Sequence, residues 1–265
     1  MSIKLTFLGS GGAFTDFRVN YHNNAIVHTD VGYILIDCGG TAVQSLKELG
    51  IPVWDITAVI ITHMHGDHMG GLEQLLWERY YTGPDGPGWL KTPVYATPDI
   101  HRGLRHALMD CVDEITTPAG TVAGGYDVLV KTHSVGEIGF ALGGVGFNLH
   151  RTRHVYSSEV DKPCYGVDII DMSAGPRAYF TSDTTFDENL FQRNPGNAAV
   201  VFHDCAFGPF YTGTVHTHYE ELRALPEETR GRIVLMHYTE VPEGIDPVAD
   251  GFLGVAARHS DWVID

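Results

Sequence analysis

"ITHMHGDHMGG", residues 61–71, decides the reading of this chain. Three histidines and one aspartate fall between His63 and His68. The apolar run "DITAVIIT" (55–62) precedes them and reads as a buried strand. A loop leaving such a strand is a rigid mount for side chains. His63 and His65 stand two apart, so an extended loop points them the same way. Asp67 and His68 open a helix read over 67–81, where Leu72, Leu75, Leu76, Arg79 and Tyr80 recur at helical spacing. They therefore take a second direction. Two directions suit two metal ions. Imidazole nitrogen with carboxylate oxygen suits zinc, with manganese or iron as alternatives.

A two-metal site needs further ligands, and strand ends downstream offer them. His154 follows "FNLHRTRH", Asp183 follows "RAYFTSD" and His237 follows "RIVLMH". His150 competes with His154, but it lies within its strand, so His154 is preferred. Other strands are read at 3–9, within the hairpin 24–40, at 92–97, 126–133, 140–154, 164–171, 177–184, 198–204 and 232–238. Helices are read at 41–49, stopped by Gly50, and near 98–109, 187–192 and 217–225. "TGPDGPG" (82–88) reads as a loop. Strands followed by helices in both halves predict an α/β protein of two packed sheets with helices outside. No Pro/Ser-rich linker interrupts them, so residues 1–265 are expected to form one domain.

The chain's 265 residues, 43% hydrophobic and 19% charged, suffice for a sizeable core. A formal charge of −16 opposes nucleic acid and anionic membranes as partners. Cys38, Cys111, Cys164 and Cys205 form no C-x-x-C pattern, and "MSIKLTFLGSGG" reads as a first strand rather than a secretory segment. No window approaches the roughly 18 apolar residues of a membrane span. A reduced, cytoplasmic protein is expected.

H-x-H-x-D-H, then a histidine, the aspartate of "TSDT" and the final "MHY" together resemble the metallo-β-lactamase fold. The resemblance runs from the first strand to about residue 240. It implies an αββα sandwich of two mixed sheets with two divalent ions, zinc first and manganese second, in a cleft at the sheet edges. His63, His65 and His154 would hold one ion. Asp67, His68 and His237 would hold the other, with Asp183 between them. β-Lactamases of this fold typically carry cysteine where Asp183 stands. "VFHDCAF" (201–207) instead resembles the "HEAT" motif of ribonuclease Z, with Asp204 in place of glutamate, and "VHTHY" (215–219) places His216 at that family's "HST" histidine. Ribonuclease Z often carries a tRNA-gripping arm between its third and fourth motifs. His154 and Asp183 are only 29 positions apart, and strands fill the interval. The layout is similar to compact cyclic-nucleotide phosphodiesterases, including the anti-Pycsar enzymes that destroy cyclic pyrimidine nucleotides.

The expected chemistry is in-line attack on phosphorus by a hydroxide shared between the ions, since a metal can lower the pKa of water to about 7. Asp67 would help orient the nucleophile. His216, oriented by Asp204, would protonate the leaving oxygen; His203 and His218 are weaker candidates. The "GSGGAF" loop (9–14) is expected to make a tight turn at the site rim rather than a phosphate cradle. Asn23 and Asn24 are read as cleft-lining or turn residues. Trp77, Tyr80 and Tyr81 are candidates for the homodimer contact that the resemblance implies. The partner expected is a small phosphodiester; the alternatives are an RNA-processing endonuclease and a lactonase-type ester hydrolase.

Overall fold

The computed structural model describes all residues except 1, 85–90, 118, 124, 137, 157–158, 160, 194–197 and 209–214. The first half supplies β1 (Ile3–Gly9), β2 (Asn24–Thr29), β3 (Gly32–Ile36), β4 (Ile56–Ile60), β5 (Thr92–Ala96), the separate hairpin β6 (Glu114–Thr117) and β7 (Gly120–Ala123), and β8 (Val130–Ser134). The second half supplies β9 (Phe140–Leu142), β10 (Val145–Arg151), β11 (Tyr165–Asp171), β12 (Gly175–Phe180), β13 (Val200–Asp204), β14 (Ile233–Met236), β15 (Gly254–Val255) and β16 (Asp261–Ile264). They form two seven-stranded sheets, ordered β16-β1-β2-β3-β4-β5-β8 and β15-β14-β13-β12-β11-β10-β9. Each sheet is antiparallel at one side and parallel at the other: β3, β4, β5 and β8 run parallel in the first, β12 to β15 in the second.

Alternation along the strands explains the layers. Ile34 and Ile36 of β3, with Ala58 and Ile60 of β4, face the second sheet, where they meet Phe147, Phe180 and Phe202. Leu35 and Val59 face the other way and pack under helices. Both faces are buried, so these strands read as continuous apolar runs. The covering helices on the first sheet are α1 (Ala42–Glu48), α2 (Gly66–Met69), α3 (Leu72–Thr82), α4 (Pro98–Leu108) and α5 (Gly125–Leu129). On the second they include α6 (Leu190–Arg193) and α7 (Tyr219–Arg223), followed by α8 (Glu227–Arg230). The architecture is the expected αββα sandwich. Phe7 sits between the sheets, fully buried, with its ring 5.3 Å from that of Phe202. Phe7→Ala is expected to cost about 3–5 kcal/mol in chemical denaturation; a loss under about 1 kcal/mol would contradict this packing.

Some sequence expectations fail, for tertiary reasons. The helix read over 67–81 is broken at Gly70 and Gly71 into α2 and α3. A Cβ on Gly71 would lie 2.2 Å from the Gly39 carbonyl oxygen, and the Cys38 N–H donates to the His68 carbonyl at 2.7 Å. This close backbone contact, not helical continuity, holds Asp67 and His68. The strand read over 126–133 starts only at Val130; residues 125–129 are helical, with Asp127 paired to Arg105 at 2.5 Å and Leu129 in the core. Residues 85–88 of the expected loop lie outside the described residues. Tyr80 is buried in the core, which removes it as a surface contact, whereas Trp77 stacks on Tyr81 at 5.7 Å on the outer side of α3. Among the described residues, no helix is long and apolar enough to cross a membrane.

Candidate metal centre

The site lies where strands end. Asp37 follows β3, His63 leaves β4, His154 follows β10, Asp183 follows β12, Asp204 closes β13 and His237 follows β14. Parallel neighbours deliver their carboxyl ends to one edge, where open α/β sheets place ligands. Asp37, Ser182 and His237 have φ of 61°, 53° and 61°. Non-glycine residues in this left-handed region carry strain, which proteins concentrate at functional sites.

Two sets of ligand atoms converge. In the first, His65 Nδ1 lies 3.2 Å from His63 Nε2 and 3.1 Å from His154 Nε2, and Asp183 Oδ2 lies 3.6 and 3.5 Å from those two Nε2 atoms. In the second, His68 Nε2 and His237 Nε2 are 3.3 Å apart, each 3.1–3.3 Å from Asp67 Oδ2 and Asp183 Oδ1. Asp183 thus faces each set with a different oxygen. A tetrahedral ion with bonds of about 2.0–2.2 Å requires ligand atoms roughly 3.3–3.6 Å apart. Both sets come close to that spacing.

The outer ring nitrogens decide what the inner ones can do. His154 Nδ1 donates to the Val215 carbonyl at 2.7 Å, His68 Nδ1 to Asp37 Oδ2 at 2.7 Å, and His63 Nδ1 faces Thr62 Oγ1 at 3.1 Å. With protons committed there, the neutral rings turn lone pairs inward, as metal-binding histidines do. Inward lone pairs this close repel unless a cation lies between them. Asp183 Oδ1 is buried without a hydrogen-bond partner among the described residues. The donor set therefore fits divalent metal. In the metal-free protein, protons replace it. Burial opposes charge on His237, but Asp183, Asp204 and Asp67 outweigh burial and raise it to about 10. Burial likewise opposes charge on His68, and Asp183 and Asp37 raise it well above the usual histidine range. Burial, reinforced by the His68 charge, pushes His63 well below it.

Beside the second set, His216 Nδ1 donates to Asp204 Oδ2 at 2.9 Å, and its ring stacks on that of His237 at 4.9 Å. Asp204 Oδ1 lies 3.3 Å from His237 Nδ1 without hydrogen-bonding geometry, so one carboxylate serves both rings. Burial opposes charge on His216, but Asp204 prevails and raises its pKa.

The remaining candidates fall elsewhere. His150 pairs with Asp168 at 2.6 Å on the second sheet, away from both sets. His203 is buried against Phe191, its Nδ1 on the Asp204 carbonyl. His218 caps α7 in a capping box with Glu221. Asn24 bonds the Gly39 N–H at 2.7 Å and the Asp67 carbonyl at 3.2 Å, so it fixes the ligand loop instead of lining the cleft. Asn23 is buried, its amide against Met236. Residues 9–14 do make a rim turn: Gly12 accepts from the Thr15 N–H and donates to the Tyr238 carbonyl, and a Cβ on Gly12 would lie 3.4 Å from the His237 ring. Sequence reasoning missed Asp37, which accepts from the Thr62 backbone and hydroxyl as well as His68. Its signal was an aspartate ending the apolar run "YILID".

The family described as "Anti-Pycsar protein Apyc1" matches residues 3–262. Among its relatives, an anti-Pycsar protein Apyc1 of Paenibacillus sp. (strain J14) is 32% identical over 267 residues, covering 100% of both chains. Another from Bacillus phage vB_BsuM-Goe3 is 32% identical over 250 residues, covering 89% of this chain and 88% of that protein. The crystal structure of the metallo-β-lactamase fold protein YhfI from Bacillus subtilis superposes with a TM-score of 0.76 at 19% identity, over 99% of this chain and 100% of that one. The sandwich is thus the metallo-β-lactamase fold, and by its match over residues 3–262 the chain belongs to the anti-Pycsar protein Apyc1 family.

Proposed function

We propose that this chain is a two-metal phosphodiesterase acting on small phosphodiesters, above all 3′,5′-cyclic nucleotides, with cyclic pyrimidine nucleotides the first candidates. The observation that carries this reading is the pair of four-atom donor sets meeting at Asp183, beside the Asp204–His216 pair. When bound there, divalent ions, zinc first and manganese second, supply positive charge for phosphate oxygens and acidify water. His63, His65, His154 and Asp183 would hold one; Asp67, His68, His237 and Asp183 the other. His216 holds the proton that the leaving oxygen needs. With Nδ1 committed to Asp204, delivery falls to Nε2. A carbon-ester hydrolase shares the metal ligands, but has less use for this oriented acid. An RNA-processing role has less support, because β11 and β12, joined by residues 172–174, take up about half of the short interval between His154 and Asp183. A homodimer through Trp77 and Tyr81 belongs to the same proposal and is tested by sedimentation.

The decisive experiment assays the protein, loaded with zinc or with manganese, on bis(p-nitrophenyl) phosphate, 3′,5′-cyclic nucleotides, a lactone and a tRNA precursor. The diesters and cyclic nucleotides should be cleaved, and intact diesters would overturn the reading. Chelation should abolish turnover and lower the melting temperature. An ion at about 1,000 times its Kd contributes about 4 kcal/mol. At this chain length that corresponds to roughly 8–16 °C. An unchanged melting curve after chelation would argue against resident metal.

A further inference from the structure

A cavity of about 380 Å³ opens directly against the candidate site, sharing His216 and His237 with it. Three aromatic residues, Phe14, Phe207 and Tyr238, also line it. None of its described lining residues is lysine or arginine, and Glu240 adds a carboxylate. Apart from His216 and His237, which belong to the candidate site, a second phosphate would meet no cation among the described lining residues and one like charge. Phe14 is 94% exposed, although it is a large apolar ring. Its position is nonetheless constrained. Gly11 donates to the Tyr21 carbonyl and accepts from the Asn23 N–H, both at 2.8 Å, and the Thr15 N–H closes the turn on Gly12 at 3.1 Å. A Cβ on Gly11 would come within 2.6 Å of the Thr15 hydroxyl, so the turn stays tight. The fold thus holds an exposed aromatic ring on a cavity without lysine or arginine among its described lining residues, beside the candidate metal centre. Planar bases stack on such rings whatever their identity.

We infer that this cavity takes the uncharged planar base of the substrate and that Phe14 is its stacking platform, a specificity-determining residue that selects diesters carrying a base and one phosphate. The inference rests on the phosphodiesterase reading above. It is tested with 3′,5′-cyclic CMP and the corresponding 3′,5′-cyclic ribose phosphate lacking a base, assayed on the metal-loaded protein. The ratio of kcat/KM for the two substrates measures what the base contributes. In the wild type it should favour the nucleotide by roughly five- to 150-fold, the range of single base–aromatic stacking. Phe14→Ala should reduce that ratio at least about fivefold, mainly through KM, and Phe14→Tyr should retain it. Because the ring is exposed, neither substitution removes core packing. A ratio near unity in the wild type, or one unchanged in Phe14→Ala, overturns the inference while cleavage of both substrates upholds the phosphodiesterase. Cleavage of neither substrate sinks both.

Discussion

Asp183→Asn protein is expected to bind fewer ions than the wild type and to lose nearly all turnover. Asp183 Oδ2 faces the first donor set and Oδ1 the second, so one substitution damages both sites. An amide brings one oxygen and no charge where two anionic oxygens stood. The fall in kcat should exceed the roughly 10²–10³-fold that losing a single electrostatic stabiliser costs. The fold itself should survive, because Asp183 stands beyond β12 and outside the apolar clusters. In the metal-free protein burial penalises its charge, while His237 and His68 hold it ionised and well below the usual carboxylate range. Metal content by mass spectrometry, with circular dichroism to check the fold, measures the effect. Wild-type metal content together with wild-type turnover would remove Asp183 from the site.

The second large effect separates proton delivery from metal binding. His216→Ala should retain its metal and lose about 10²–10⁴-fold in kcat on a 3′,5′-cyclic nucleotide, whose leaving oxygen is a sugar alkoxide. On bis(p-nitrophenyl) phosphate the loss should be much smaller, because nitrophenolate leaves without a proton. Equal losses on the two substrates would point to a purely structural role. Asp204→Asn gives the pH arm. Asp204 raises the His216 pKa, so its removal lowers it. A general acid works only while protonated, so activity falls as pH rises through that pKa. The alkaline limb of kcat should therefore move to lower pH in Asp204→Asn, and an unmoved limb would break the assignment. Asp204 also lies 3.3 Å from His237, so metal content must be measured in the same variant.

The local parts of this site were legible because they are local. H-x-H-x-D-H sits at one strand–helix junction, and its spacing alone sets two ligand directions. Asp183 and His237 were legible as polar residues ending apolar runs. The choice between His150 and His154 turned on the end of β10: His150 is still within the strand and pairs across it with Asp168, whereas His154 lies beyond it and reaches the cleft. Asp37 escaped because its role depends on β3 lying beside β4, which places its carboxylate on Thr62 and His68. Strand β16 escaped because "DWVI" is short, and pairing with β1 across most of the chain gives it its place.

By itself, then, the sequence determined the fold class, the metal-ligand candidates and the acidity that disfavours polyanions. These follow from periodicity, spacing and charge, all read over short windows. The resemblance implied that Asp183 joins the two donor sets and that Asp204 orients His216; tertiary structure alone decided which oxygen of Asp183 faces each set, that His216 stacks on His237, and that Phe14 lines the cavity beside them. The physical reason is register. The parallel pairing of β13 with β14 sets Asp204 opposite Met236, one residue before His237, and no local pattern encodes which strand ends become neighbours.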